Sequence, residues 1–302
     1  MKQISFFIIL LLIISGCSQK EVTVLSHKVS STCHYYSLKS AQCLAQKAFI
    51  ERVEPYDVIF VGDHHHSANA HKVMLTLIDG LSDKGYKISL ANEWFSPQDN
   101  TLLKKYVNGK LDSNTSKVLN WKKRVGYDFN LSEPIYKAVI ENGGKLYGVN
   151  MQKTFKKMVS EQNLTGMSVD ERSFYNSLDL NVTAHKQLIA PFFAHCHGVR
   201  EGESAQQCSE RMYRVQVAWD SMMGEESAKL AEKLKAKEKL IVFIGAMHLE
   251  SKLGANLRFA RASTKPFITI LPYPKESNST SIISVDVGSS DMLYLYEESV
   301  NK

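Results

Sequence analysis

The sequence predicts an α/β protein: a mostly parallel central sheet flanked by helices, with a helical lid insertion and a C-terminal strand meander. Two observations carry that prediction. Short runs of β-branched and apolar residues recur along the chain and alternate with segments of helical periodicity. Two of these runs end in Gly-x-x-His, at Gly62-Asp63-His64-His65 and at Gly245-Ala246-Met247-His248. This places two histidines at the carboxyl ends of buried strands, where parallel sheets form their binding crevices.

Residues 57–61 form the first expected strand, and 71–81 follow with Val73, Leu75, Leu77, Ile78 and Leu81 at largely helical spacing. Residues 86–91 are the second strand, ending in Asn92-Glu93-Trp94. Residues 98–110 read as a helix stopped at Asn108-Gly109, and 132–142 as another, with Pro134 near its first turn and Gly143-Gly144 behind it. Residues 145–149 and 240–244 are the third and fourth strands. Between them, from about 151 to 214, the chain is polar and helical in pattern without a good strand, which marks the lid. In the helix expected over 214–237, Val215, Ala218, Met222, Leu230 and Leu234 form a packing stripe. Gln216 and Asp220 share an adjacent face at i,i+4, so that Asp220 is a candidate to orient a strand-end histidine. Residues 267–271, 281–287 and 292–296 are expected to close the chain as a meander at one sheet edge.

The chain has 302 residues, enough for one sizeable core, and no Pro-, Gly- and Ser-rich linker divides it. Its formal charge of +6 is dispersed, with no arginine-rich stripe, so nucleic acid is not an expected partner. Residues 1–16 combine Lys2, an apolar run and Ser15-Gly16, too short for a permanent span and shaped like a secretory signal. The small pair before Cys17 resembles a bacterial lipobox, which implies lipidation of that cysteine; an ordinary cleaved signal and an uncleaved anchor are the other readings. Ser18 stands where an inner-membrane retention signal would have Asp, which points to the periplasmic face of the outer membrane. The expected organisation is a leader over 1–16, a tether and disulfide-stapled segment over 17–55, and the α/β domain over 56–302 with its lid. Cys33, Cys43, Cys196 and Cys208 form an even set for an oxidising compartment. Local pairing, Cys33 with Cys43 and Cys196 with Cys208, closes two short loops. Metal ligation competes with it, but neither pair has the spacing of a structural zinc site.

Asp63, His64, His65, His66 and His71 cluster after the first strand, while Glu93 and His248 enter from other strand ends. Neutral imidazoles with one or two carboxylates suit zinc, iron or manganese. His65, Glu93 and His248 are therefore candidate ligands for a divalent transition metal. With Asp63 they form a candidate catalytic set for metal-dependent hydrolysis. If the strand ends at Val61, Asp63 and His65 alternate toward the crevice and His64 and His66 face away. The sequence contains no His-Glu-x-x-His, no Gly-x-Ser-x-Gly and no glycine-rich phosphate loop after a strand, which disfavours zincin, lipase and nucleotide chemistry.

Taken in order, Gly62-Asp63-His64-His65 with His71, Asn92-Glu93-Trp94-Phe95, Trp121, Tyr127, Gly148-Val149-Asn150, Gln216-x-x-Trp219-Asp220-x-Met222 and Gly245-x-x-His248 resemble the ChaN-like haem-binding lipoproteins. These belong to the wider superfamily of Tiki, TraB and erythromycin-esterase proteins, and the resemblance runs from about residue 56 to 260. It implies an outer-membrane-anchored protein assisting haem or iron acquisition, with haem held as a face-to-face pair in a ligand-induced homodimer, tyrosine on iron, and an outer-membrane haem receptor as partner. Enzymatic relatives use the positions matching Asp63, His65, Glu93 and His248. Asp63 stands where the pattern commonly has Glu, a change that moves the carboxylate by roughly an ångström and counts against hydrolysis. For haem the lid offers Tyr175, His185, His195, His197 and Tyr213 toward iron, and Arg172, Lys186, Arg200, Arg211 and Arg214 toward the propionates.

Overall fold

The computed structural model describes residues 24–109, 117, 119–194, 196, 199–276 and 280–298. The lipidation expected at Cys17 and the iron-ligand candidates His195 and His197 lie outside the described residues. The amino-terminal part contains β1 (Val24–Ser30), β2 (Tyr35–Ser37), β3 (Gln42–Leu44) and α1 (Gln46–Val53). Then come β4 (Val58–Asp63), α2 (Ala68–Ser82), β5 (Lys87–Asn92), α3 (Asn100–Val107), α4 (Trp121–Arg124), α5 (Glu133–Glu141) and β6 (Leu146–Gly148). The lid region holds α6 (Lys153–Glu161), α7 (Val169–Ser177), α8 (Thr183–Phe193) and the start of α9 (Ala205–Ala231). The chain closes with β7 (Glu238–Gly245), α10 (Ala255–Ala262), β8 (Phe267–Lys275), β9 (Thr280–Asp286) and β10 (Met292–Glu297).

Eight strands form the central sheet in the order β3-β2-β10-β8-β4-β7-β5-β6. Its pairs are parallel from β10 to β6, and β2 and β3 add antiparallel at one edge. Every residue of β4 is buried, because helices cover both faces. Alternation divides its side chains: Ile59 and Val61 join the cluster containing Met74, Leu77 and Tyr136, while Val58 and Phe60 join the cluster containing Ala228, Leu249 and Phe259. The stripe predicted for the helix after the first strand is present in α2, where Val73, Met74, Leu77, Ile78 and Leu81 are buried and Ser67 caps the amino terminus.

The three C-terminal strands exist, but the expected meander is corrected. A meander requires antiparallel neighbours, whereas β8 and β10 are parallel, with Met292 opposite Ile270 and Glu297 opposite Lys275. The return is made by β9, which leaves the main sheet and pairs antiparallel with β1 in a separate two-stranded sheet. β8 therefore lies inside the sheet, against β4, and not at its edge. Residues 24–55 also contribute more than a tether: β2 and β3 extend the main sheet, and Phe49, Ile50 and Val53 of α1 enter the core.

Both local disulfides are formed, Cys33–Cys43 with Cα atoms 5.8 Å apart and Cys196–Cys208 at 6.1 Å. The second ties the segment after α8 to the first turn of α9. The lid packs on α9 through its own apolar cluster of Met151, Phe155, Val159, Met167, Val215 and Ala218. Among the described residues no helix is long and apolar enough to cross a membrane.

Candidate functional site

Strands β4, β5 and β7 are neighbours, so their carboxyl ends bring Asp63, Glu93 and His248 to one edge of the sheet. β4 runs two residues beyond the expected end, and Asp63 stands opposite Gly245. Glu93 lies at the centre. Its Oε1 accepts the Gly245 N–H at 2.7 Å and lies 3.7 Å from His65 Nε2, while its Oε2 lies 3.7 Å from His248 Nε2. A Cβ on Gly245 would stand 3.4 to 3.5 Å from Glu93, His65 and His248. Three polar side chains thus converge on the Gly245 backbone.

A carboxylate backs each histidine. His65 Nδ1 lies 2.8 Å from Asp63 Oδ2, and the other oxygen of Asp63 lies 2.6 Å from His71 Nε2. His248 Nδ1 lies 2.6 Å from Asp220 Oδ1, and the other oxygen of Asp220 lies 3.1 Å from His185 Nε2. Both ring nitrogens of His71 face acceptors, since its Nδ1 lies 3.1 Å from the Leu131 carbonyl, which favours the imidazolium form. Burial of His71 opposes that charge, yet the bond to Asp63 outweighs it and raises the ring's pKa. Burial likewise disfavours ionised Asp63, but His65 and His71 hold its pKa below the ordinary value. For Glu93 burial wins over the attraction of His248 and His65, and its pKa is raised. His65 and His248 are raised despite burial, chiefly by the bonds to Asp63 and Asp220.

A cleft of about 700 Å³ opens over these groups, within the range of small-molecule sites. Trp94, Phe95, Met151 and Trp219 supply apolar wall, and Lys123, Arg124, Lys153 and Lys156 supply positive charge. Arg124 is paired with Asp99 at 2.8 Å, and Lys156 lies 4.8 Å above the Trp219 ring. The His65 ring packs against Trp94 and Tyr127, with centroids 4.6 and 5.0 Å away.

The structure brings together Asp63, His65, Glu93 and His248 as the sequence predicts, and it confirms that Gln216 and Asp220 share a face, both within reach of His248 Nδ1. His64 turns aside to bond the Tyr296 hydroxyl at 2.6 Å, and His66 is exposed against the edge of Tyr127. The described lid candidates do not converge on a slot. Arg211 is buried and holds Glu203 through two bonds of 2.7 and 2.9 Å, which together with the Arg200 N–H pull the Glu203 carboxyl down to about 2. Arg214 Nε donates to the Val159 carbonyl at 3.2 Å. Tyr175 packs with the apolar lid cluster, and Tyr213 is buried, lining a cavity of about 280 Å³ beside Lys186. His185, read as an iron candidate, is 1 % exposed and faces Asp220 instead. The cationic wall of the cleft went unrecognised in the sequence: Lys122 and Lys153 look alike there, and only the fold selects which lysines face the site.

A family model described as haem-binding uptake, Tiki superfamily, ChaN matches residues 49–259. The structure resembles that of ChaN of Campylobacter jejuni, described with cofacial haem binding, at a TM-score of 0.64 and 17 % identity over 87 % of this chain and 96 % of that one. Weaker likenesses are found to the type III effector HopBA1, at a TM-score of 0.46 and 14 % identity over 83 % of this chain and 92 % of that one, and to an erythromycin esterase EreC variant, at 0.45 and 11 % over 83 % of each. No curated protein matches the sequence. With residues 49–259, more than half of its length, matched by that model, the chain belongs to the ChaN-like haem-binding family of the Tiki superfamily.

Proposed function

We propose that this protein binds haem at the cell envelope and assists haem or iron acquisition, anchored through a lipid on Cys17 to the periplasmic face of the outer membrane. The cleft is the observation that carries this reading. Haem requires an apolar slot, an axial ligand and cations for its propionates. Trp94, Met151 and Trp219 fit the first need, the Nε2 atoms of His65 and His248 the second, and Lys123, Lys153 and Lys156 the third. Family membership supports the same ligand, and the cofacial haem of the Campylobacter relative makes a ligand-induced homodimer part of the proposal. An outer-membrane haem receptor is the corresponding partner for transfer.

Titration with ferric haem, following absorbance and mass in solution together, tests this. The expected result is a Soret band that saturates at a single haem per chain as monomer becomes dimer, and that is lost when His65 and His248 are both replaced by Ala. A band retained by the double variant moves the iron ligand to a tyrosine, with Tyr175 and Tyr213 the first to replace. Absence of any saturable band refutes haem binding.

A second reading, metal-dependent hydrolysis, is favoured by one specific feature. His65 Nε2 and His248 Nε2 each lie 3.7 Å from a different oxygen of Glu93, a separation that an ion about 2.0–2.2 Å from each ligand would bridge. Ligand atoms of Asp63, His65 and Glu93 also fall within 4.8 Å of one another. Carboxylates on the far nitrogens, as Asp63 and Asp220 provide, are the usual supports of metal-binding imidazoles. Under this reading the protein retains near-stoichiometric zinc or manganese after dialysis, and Glu93→Gln lowers that affinity by at least about tenfold. Metal content at background level in the unaltered protein counts against it.

A further inference from the structure

His248 is held from behind by a file of side chains from three helices. Asp220 on α9 meets His248 Nδ1 at 2.6 Å through Oδ1, and its Oδ2 lies 3.1 Å from Nε2 of His185 on α8. Nδ1 of His185 lies 3.4 Å from Nη2 of Arg258 on α10. All four side chains are buried, Asp220 completely. The Gln216 amide approaches both atoms, 3.3 Å from Asp220 Oδ1 and 2.8 Å from His248 Nδ1, and it turns its oxygen to Nδ1 when that nitrogen carries the proton and its NH2 when it does not. Asp220 Oδ2 and His185 Nε2 are both buried, and although they lie 3.1 Å apart neither has a well-aligned hydrogen-bond partner, so each is the nearest polar group left to the other.

The donors and acceptors can be assigned from one end of the file. A guanidinium only donates, so Nδ1 of His185 accepts. A neutral ring that accepts at Nδ1 carries its proton on Nε2, which faces Asp220. Asp220, an acceptor on both oxygens, then takes the Nδ1–H of His248, leaving His248 Nε2 to face Glu93 in the cleft at 3.7 Å.

We propose that His185 and Arg258 are positioning residues that act through Asp220 to fix His248 as the Nδ1–H tautomer, with Nε2 open to the cleft. Because His185 belongs to the lid, the same file ties the state of His248 to the seating of α8 on α9. A lid that lifts away carries the His185 ring out of the 3.1 Å approach to Asp220 Oδ2. This inference rests on the strand-end cluster being the functional centre, whichever ligand that cluster takes.

Two substitutions that keep position 185 polar test it. His185→Gln carries its amide nitrogen out toward the place of Nε2 and retains a donor for Asp220, whereas His185→Asn ends near the place of Nδ1 and loses it. Nitrogen-15 NMR of the ligand-free protein reads the His248 tautomer, and calorimetric titration with Zn²⁺ reads affinity. The Asn variant is expected to shift the His248 ring signals toward a tautomer mixture and to weaken zinc binding about tenfold, with the Gln variant behaving as the unaltered protein. Unmoved His248 signals in the Asn variant, or equal shifts in both variants, overturn the assignment. Failure of the unaltered protein to bind zinc, with the tautomer shift still present, refutes the metal reading alone and supports the positioning role.

Discussion

Replacing Asp220 by Ala is expected to destabilise the protein by about 3–5 kcal/mol, the usual cost of removing one partner from a buried charged network. Asp220 is fully buried and serves His248, His185 and Gln216 together, so its loss leaves several polar atoms without water or a replacement acceptor. Against a typical domain stability of about 5–15 kcal/mol, this is enough to lower the yield of folded protein. Denaturant unfolding followed by circular dichroism measures it, and a midpoint within error of the unaltered protein would contradict the expectation. Asp220→Asn keeps the shape and separates function from folding: it is expected to fold while binding ligand about 10–100-fold more weakly, because the amide can present N–H to a ring nitrogen that needs an acceptor. The pH dependence has a definite sign. Burial works against the ionised carboxyl, but bonds from His185 and His248 hold its pKa below the ordinary 3.8. The stabilisation from Asp220 is therefore present above that value and is lost as pH falls through the depressed one. An acid limb of unfolding that is steeper in the unaltered protein than in Asp220→Asn is the expected signature.

The second large effect is expected from Gly254→Ala, at a position remote from any ligand. Gly254 sits in the turn between His248 and α10, and a Cβ there would lie 1.9 Å from the His248 carbonyl oxygen and 2.6 Å from its carbon. These are backbone atoms, with no flexible side-chain end to move away. The turn must shift, and with it the ring that faces Glu93. Overpacking typically costs about 1–3 kcal/mol, and a backbone clash belongs at or beyond the upper end. Ligand affinity should fall together with stability, since the displaced residue is His248 itself. Gly288→Ala is the control: the atoms nearest a Cβ there belong to the end of the Asp286 side chain, at 3.3 to 3.7 Å. Equal midpoints and equal haem or zinc affinities for the two variants would show that the turn yields easily and does not position His248.

Much of the fold was legible in the chain. β4 and β7 are buried on both faces and appear as short continuous apolar runs, β5 alternates through Lys87 and Ser89 before its buried end, and the strand ends announce the site because a parallel sheet gathers its carboxyl termini on one edge. Gln216 and Asp220 were legible as a pair because one helical turn fixes their common face. The disulfides were legible for a similar local reason, each closing a short loop.

What only the tertiary structure decided is where distant segments meet. An apolar run states that a strand is buried but not which strand it joins, so the placement of β8 against β4 and the departure of β9 to β1 had no local signal. His71 and His185 looked like further metal or iron ligands, since residue type alone does not distinguish a ligand from the group that supports one. Their partners, Asp63 and Asp220, come from strand and helix surfaces that the fold alone brings within 2.6 and 3.1 Å. By itself the sequence determined the element types, the strand ends that carry the chemistry and the local staples, because these follow from periodicity over a few residues. The tertiary structure decided strand neighbours, charge partners and which lysines face the cleft, because these depend on contacts between residues far apart in the chain.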